Sequence, residues 1–199
     1  MLILRLLAVV IVGYLIGSIP NGVLMARLFG WRDPRRHGSG HTGGLNSARS
    51  GGLAAGVLVM LLDIVKGLLA VWVARHILPD PVSIPLAGIA AVAGHNWPIF
   101  LGFRGGMGLA TGAGALGGQY LPAVLIGLAL LGLVRLIIRH TPRAVIVTML
   151  CLPPILWLLP IEPPVFWLGT GLALLIALRH LSDWNRVYPP RPGLLLPDP

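Results

Sequence analysis

No charged side chain stands between Arg104 and Arg135. A stretch that long and that apolar belongs in a bilayer, whose hydrocarbon core is about 30 Å thick. Read as helix, residues 109–138 rise roughly 45 Å, too long for one crossing and too short for two full ones. Arg104 precedes the run, and Arg135, Arg139, His140 and Arg143 close it. If both clusters stay on the cytoplasmic side, an even number of crossings separates them. The reading that satisfies length and parity together is a short, glycine-rich half-helix at 109–118. A turn at Gln119-Tyr120-Leu121-Pro122 then sends a longer helix back. Short helices survive in lipid only when packed against protein or lining a cavity, which places a cavity beside residues 105–111.

The rest of the chain agrees with that class. Over its 199 residues, 56% are apolar and 11% charged, with mean hydropathy +0.86. These values indicate an all-α integral membrane protein with one compact bundle, residues 1–188, and a proline-rich, disordered tail at 189–199. The net charge of +9 does not imply nucleic acid, because arginines flanking apolar runs produce the same excess. The lone Cys151 excludes an internal disulfide and a cysteine-rich metal site.

Residues 2–29 form a retained first helix rather than a signal peptide. Pro20 kinks it, and Ser18 or neighbouring helices are expected to satisfy the freed carbonyl. Further crossings follow at about 52–74, 84–100, 144–159 and 165–178. With the half-helix and its partner the count is seven transmembrane helices, N-terminus outside and C-terminus cytoplasmic. On this map twelve of the fifteen Lys and Arg residues lie at cytoplasmic ends, Arg5, Lys66 and Arg75 being the exceptions. Asp63 and Lys66 share a helix face deep in the second span. They read first as a structural ion pair and second as chemistry.

Three polar segments meet at the cytoplasmic face: 35–49, 94–111 and 179–186. The first, Arg36-His37-Gly38-Ser39-Gly40-His41-Thr42-Gly43-Gly44-Leu45-Asn46-Ser47-Ala48-Arg49, has the makings of a phosphate site. Exposed backbone N–H groups at glycine turns form anion nests, and arginine holds phosphate oxygens by paired hydrogen bonds. A topology-setting basic loop is the plainer reading. The second segment adds His95 and a glycine-rich turn, Arg104-Gly105-Gly106-Met107-Gly108, that reads as a plain connector or a second cradle. Paired glycosidase carboxylates, an HExxH cluster, a Walker loop and a nucleophile elbow are all absent. What remains is acyl or phosphoryl transfer onto a small phosphorylated substrate.

Taken together, several motifs resemble one family. They are Gly17-Ser18-Ile19-Pro20; His37-Gly38-Ser39-Gly40 with Gly43, Asn46 and Arg49; Leu62-Asp63 with Lys66-Gly67; Gly94-His95 with Pro98 and Phe100; and Phe103, Gly105, Gly106, Gly108, Ala110, Thr111. In this order they look like the bacterial acyl-phosphate:glycerol-3-phosphate acyltransferases, the PlsY family. The resemblance runs from about Gly17 to Arg186 and marks a divergent member. It implies a multi-pass enzyme of the bacterial inner (plasma) membrane, with a cytoplasmic active site. The enzyme would transfer a fatty acyl group from acyl phosphate to glycerol 3-phosphate, giving lysophosphatidic acid with no cofactor or metal. Ser39 and His180 match its catalytic positions. His37, Gly38, Gly40, Gly43, Asn46, Arg49, His95, Gly105, Gly106 and Gly108 are the candidate substrate- or phosphate-binding residues, with Arg104 as a substitute cation reaching back to the site. Three departures stand out: Met107 where a lysine is usual, His41-Thr42 where asparagine and an aliphatic residue are usual, and Asp183 where asparagine is usual. The competing readings are a related acyltransferase with another acceptor, suggested by Met107, and a non-catalytic carrier for a small phosphate ester.

Overall fold

The computed structural model describes residues 1–186 and is helical throughout its ordered elements. Eight helices follow in order: α1 Leu2–Ser18, α2 Asn21–Leu28, α3 Gly44–Gly51, α4 Leu53–Ile77, α5 Ser83–Asn96, α6 Leu109–Ile137, α7 Thr141–Trp157 and α8 Pro163–Leu181. Five apolar segments are long enough to cross a membrane, and α7 is a shorter apolar helix. The tail at 189–199 lies outside the described residues.

Pro20 does more than kink the first segment; it divides α1 from α2. The carbonyl that Pro20 leaves without its helical donor, Ile16 O, accepts from Ile19 N–H at 3.3 Å. Ile19 O in turn accepts from Lys66 Nζ at 3.0 Å. Ser18, expected to take this part, has no partner for its Oγ among the described residues. A charged side chain from mid-α4 therefore stabilises the break.

Interhelix contacts rest on small residues, as expected where lipid removes any hydrophobic drive for association. A Cβ on Gly17 would clash with Ala91 O, and one on Gly94 with Tyr14 O, so α1 lies backbone to backbone on α5. Gly67 and Gly114 do the same for α4 and α6, facing Thr111 O and Ile64 O. The apolar core gathers where α6, α7 and α8 meet α4 and α5, around Val71, Val92, Leu116, Leu152, Leu156 and Leu168.

The element α6 is two helices. Tyr120 leaves helical conformation at φ −154, ψ 89, inside the expected turn. A Cβ on Gly117 would lie 3.5 Å from Val124 Cγ2, whereas residues seven apart in a straight helix are separated by about 10 Å along the axis. The chain folds back. Arg75 at the far end of α4 donates to Gln119 at the fold, so the first half runs alongside α4. The second half returns to where α7 begins.

Candidate functional site

The stretch between α2 and α3 is not a free loop. Asp33 caps a 3₁₀ turn, Pro34–Arg36, by accepting from Arg35 N–H at 2.9 Å. The Arg35 side chain, 2.6 Å away, holds the Asp33 carboxyl below its ordinary pKa. The helix α3 then carries Asn46 back under the loop. Its Oδ1 accepts from Ser39 N–H at 2.9 Å, and its Nδ2 donates to Pro34 O, His37 O and His41 O at 2.7, 3.0 and 2.8 Å. The Asn46 amide is thus committed to holding the loop, not left open for phosphate. Gly38 and Gly40 sit at φ +56 and +72, a left-handed conformation glycine adopts without strain. A side chain at Gly38 would also collide with Asn46 Oδ1.

This fold presents Ser39 and His41 on one side and leaves His37 exposed on the other, its Nδ1 3.0 Å from Asp33 O. His41 N–H donates to Ser39 Oγ at 3.4 Å. The turn after α5 is just as closed. Gly105 N–H donates to Asn96 O and Gly106 N–H to His95 O, at 3.2 and 3.0 Å. A Cβ on Gly106 would run into the His95 ring. These two glycines exist for close packing, and their N–H groups are spent. They cannot form the second phosphate cradle. Arg104 is exposed and outside the cavity wall. Arg179 of α8 braces the turn, with Nε donating to Gly106 O at 3.0 Å and its guanidinium 5.8 Å from the Trp97 ring. Gly108, at φ +87, opens α6 and does reach the cavity.

The cavity has a volume of about 550 Å³, within the usual span for small-ligand sites. One end is polar: Ser39, His41, Arg49, Asp63, His95 and His180 line it. The other is apolar, walled by side chains such as Leu116, Val124, Leu131, Leu152, Leu172 and Ile176 from both halves of α6, α7 and α8. Met107 faces this cavity near the junction with the turn. Asp63 Oδ1 is shared by Lys66 Nζ at 2.9 Å, Asn21 Nδ2 at 3.0 Å and His95 Nδ1 at 3.6 Å. His180 binds Ile176 O through Nδ1 at 2.8 Å, which leaves Nε2 as its acceptor.

Of the expected site residues, Ser39, Gly43, Asn46, Arg49, His95, Gly108 and His180 meet at the cavity, while His37, Gly38, Gly40, Arg104, Gly105 and Gly106 do not line it. Asp63, read first as half of a structural ion pair, and His41, read as a departure from the family, also line it. Asp183, one of the three departures, is paired with His41, Oδ2 to Nε2 at 2.8 Å, and lies 3.4 Å from Arg186. Burial pushes the His41 pKa below its ordinary value, with Asp183 opposing the shift and Arg179 and Arg186 adding to it.

The sequence profile of the family described as glycerol-3-phosphate acyltransferase matches residues 7–189. A glycerol-3-phosphate acyltransferase of Photobacterium profundum is 38% identical over 184 residues, 92% of this chain and 89% of its own. One of Escherichia coli (strain K12 / DH10B) is 38% identical over 181 residues, 90% and 86% of the two chains. A crystal structure of PlsY, an integral membrane glycerol 3-phosphate acyltransferase, superposes in its glycerol 3-phosphate form with TM-score 0.78 and 32% identity, covering 91% of this chain and 90% of that one. Its lysophosphatidic acid form superposes at 0.76 with 30% identity and the same coverage.

Proposed function

The chain belongs to the glycerol-3-phosphate acyltransferase family and acylates glycerol 3-phosphate to lysophosphatidic acid, and we propose that the acyl group comes from acyl phosphate at the cytoplasmic face of the inner membrane. One observation carries the reading: a cavity with a hydrogen-bonding end that holds Arg49 and an apolar arm. The arm suits an acyl chain and the polar end a phosphate ester. Arg49 neutralises phosphate by a charge-assisted fork. Ser39 hydrogen-bonds a substrate, and the start of α6 at Gly108 offers helix N–H groups to an oxyanion. His180 positions a substrate through Nε2. Asn46 and the glycines at 38 and 40 serve the site by holding Ser39 in place. Acyl phosphate is a mixed anhydride and already activated, so orientation and charge stabilisation supply the catalysis.

The deciding experiment is purified protein in detergent with glycerol 3-phosphate and either acyl phosphate or acyl-CoA, followed by mass spectrometry. Lysophosphatidic acid is expected from acyl phosphate alone. Product only from acyl-CoA overturns the donor.

We propose seven crossings, with the N-terminus outside and the site inside; five long spans, a folded α6 and the shorter α7 support this count. In a Cys151→Ala background, cysteines at Arg36, Arg104 and Arg186 should resist an impermeant thiol reagent added to intact cells. One at Asp80 should react. Labelling of Arg104→Cys from outside would put the two polar turns on opposite faces and refute the orientation.

Met107 bears on acceptor affinity. A lysine there would approach the phosphate from the cavity wall, adding about 1.5–2 kcal/mol net, the lower part of the range for hydrogen bonds to charged groups. Met107→Lys should therefore lower the KM for glycerol 3-phosphate roughly ten- to thirtyfold. Arg104→Ala should leave it within twofold, since Arg104 is exposed and off the wall. A raised KM in Met107→Lys would show that Met107 meets the acyl chain rather than the acceptor.

A further inference from the structure

The pair His41–Asp183 joins the loop before α3 to the turn after α8, 142 residues apart in sequence. Both members are largely buried, their side chains 14% and 4% exposed. A structural clasp at the surface would not need a histidine on the cavity wall, yet His41 lines that wall beside Ser39 and His180. Because the carboxylate accepts from Nε2–H, the ring is held in the tautomer whose Nδ1 is an acceptor. That Nδ1 has no hydrogen-bond partner among the described residues and is not sealed from solvent. An imidazole on a cavity wall, fixed in tautomer by a buried carboxylate and with its second nitrogen accessible, is the arrangement of a general base.

We propose that His41, oriented by Asp183, is the catalytic base that takes the proton from the acceptor hydroxyl of glycerol 3-phosphate. The hydroxyl oxygen attacks the acyl carbonyl carbon and forms the ester C–O bond while its proton passes to His41 Nδ1. The bond between the acyl carbon and the phosphate oxygen breaks, and its electron pair leaves with phosphate. The imidazolium, stabilised by Asp183, then returns the proton to the departing phosphate or to water. The leaving group, but not the role of His41, rests on acyl phosphate being the donor. His180 is the weaker candidate, because its Nδ1 is bound to a neutral carbonyl, Ile176 O, rather than to a carboxylate. Met107 on the same wall makes a second requirement for such a base intelligible: with no lysine there, less positive charge is available to ease ionisation of the hydroxyl.

The groups around His41 fix the sign of its pH dependence. Asp183 favours the imidazolium; Arg179 and Arg186 oppose it. His180, His95, Arg49 and Asp63 also line the polar end, from α8, α5, α3 and α4, with Lys66 paired to Asp63. A base must be neutral to act, so kcat falls as pH drops through the His41 pKa. Removing the Asp183 charge lowers that pKa and moves the acid limb to lower pH.

The test is the kcat–pH profile between pH 5 and 9 of the full chain in detergent, with saturating acyl phosphate and glycerol 3-phosphate, for wild type, His41→Asn, His41→Ala and Asp183→Asn. His41→Asn and His41→Ala should lose roughly a hundredfold in kcat, the low end for general-base catalysis, and lose the acid limb, while KM for glycerol 3-phosphate changes less than threefold. Asp183→Asn should keep the limb but shift it to lower pH. A limb that stays put in every variant belongs to the substrate phosphate and overturns the proposal, as does a His41→Asn enzyme within threefold of wild type. Should the His41 variants fail to fold, the limb of Asp183→Asn decides alone. Wild type inactive with acyl phosphate but active with another donor would sink the donor reading and leave the same profiles to be run with that donor.

Discussion

Lys66→Met is expected to destabilise the protein by about 3–5 kcal/mol, the range for removing one partner of a buried ion pair. Lys66 is 5% exposed and Asp63 1%. In wild type the ammonium touches Asp63 Oδ1 and Ile19 O at 2.9 and 3.0 Å. Methionine fills a similar volume but, among the described residues, leaves the buried carboxylate with Asn21 and the more distant His95, and strips the break between α1 and α2 of its donor. For a chain of this size, 3–5 kcal/mol corresponds to roughly 6–20 °C in Tm. The double variant Asp63→Asn with Lys66→Met should recover much of that loss, because no unpaired charge remains. Thermal unfolding in detergent, followed by loss of the monodisperse peak, measures both. A Lys66→Met protein melting within 2 °C of wild type would show that the pair adds nothing and that the break is stable without it.

That network also shows where sequence reasoning stops. Asp63 and Lys66 were legible as a pair because i and i+3 share a helix face, and the structure joins them. The half-helix was legible too, since length, Pro122 and the flanking arginines allowed few alternatives; Tyr120 breaks where the turn was expected. The helix α3 was not. It is eight residues long, with glycine at both ends and Ser47 and Ser50 inside, a composition with little intrinsic helicity. It forms because Gly44 and Ala48 lie against Gly56 and because Asn46 bonds the loop from within it. Tertiary contact, not propensity, makes that helix.

The site divides along the same line. Ser39, Arg49 and His180 sit in recognisable motifs, and the cavity collects all three. Gly105 and Gly106 looked like anion binders because a glycine turn in sequence does not show whether its N–H groups are already spent, and here His95 O and Asn96 O take them. The pairing of His41 with Asp183 has no local signature at all. In sequence each is an isolated departure. Only the folded chain brings them to 2.8 Å and turns two departures into one unit.

Arg49→Ala should cost on the order of a hundred- to a thousandfold in kcat/KM, the largest loss expected from any single change at the phosphate end. Truncating one member of a buried, hydrogen-bonded charge pair costs about 2–5 kcal/mol, and every 1.4 kcal/mol is tenfold. Arg49 lies in the last turn of α3 and on the cavity wall, with its Cδ beneath Gly38. Its stem is therefore held by the same loop that presents Ser39. Arg49→Lys keeps the charge but loses the planar fork, so it should recover about tenfold of the loss and no more. The split between parameters identifies which phosphate Arg49 holds. A rise confined to the KM for glycerol 3-phosphate assigns it to the acceptor; a rise confined to the KM for the acyl donor assigns it to the donor. A fall in kcat with both KM values unchanged means that it acts on charge developing in the transition state. Ser39→Ala removes one neutral hydrogen bond, about 0.5–1.5 kcal/mol, and should cost less than Arg49→Ala in the same assay. If Arg49→Ala instead turns over normally while remaining folded, the polar end of the cavity does not bind phosphate through α3, and the site must be rebuilt around Arg179.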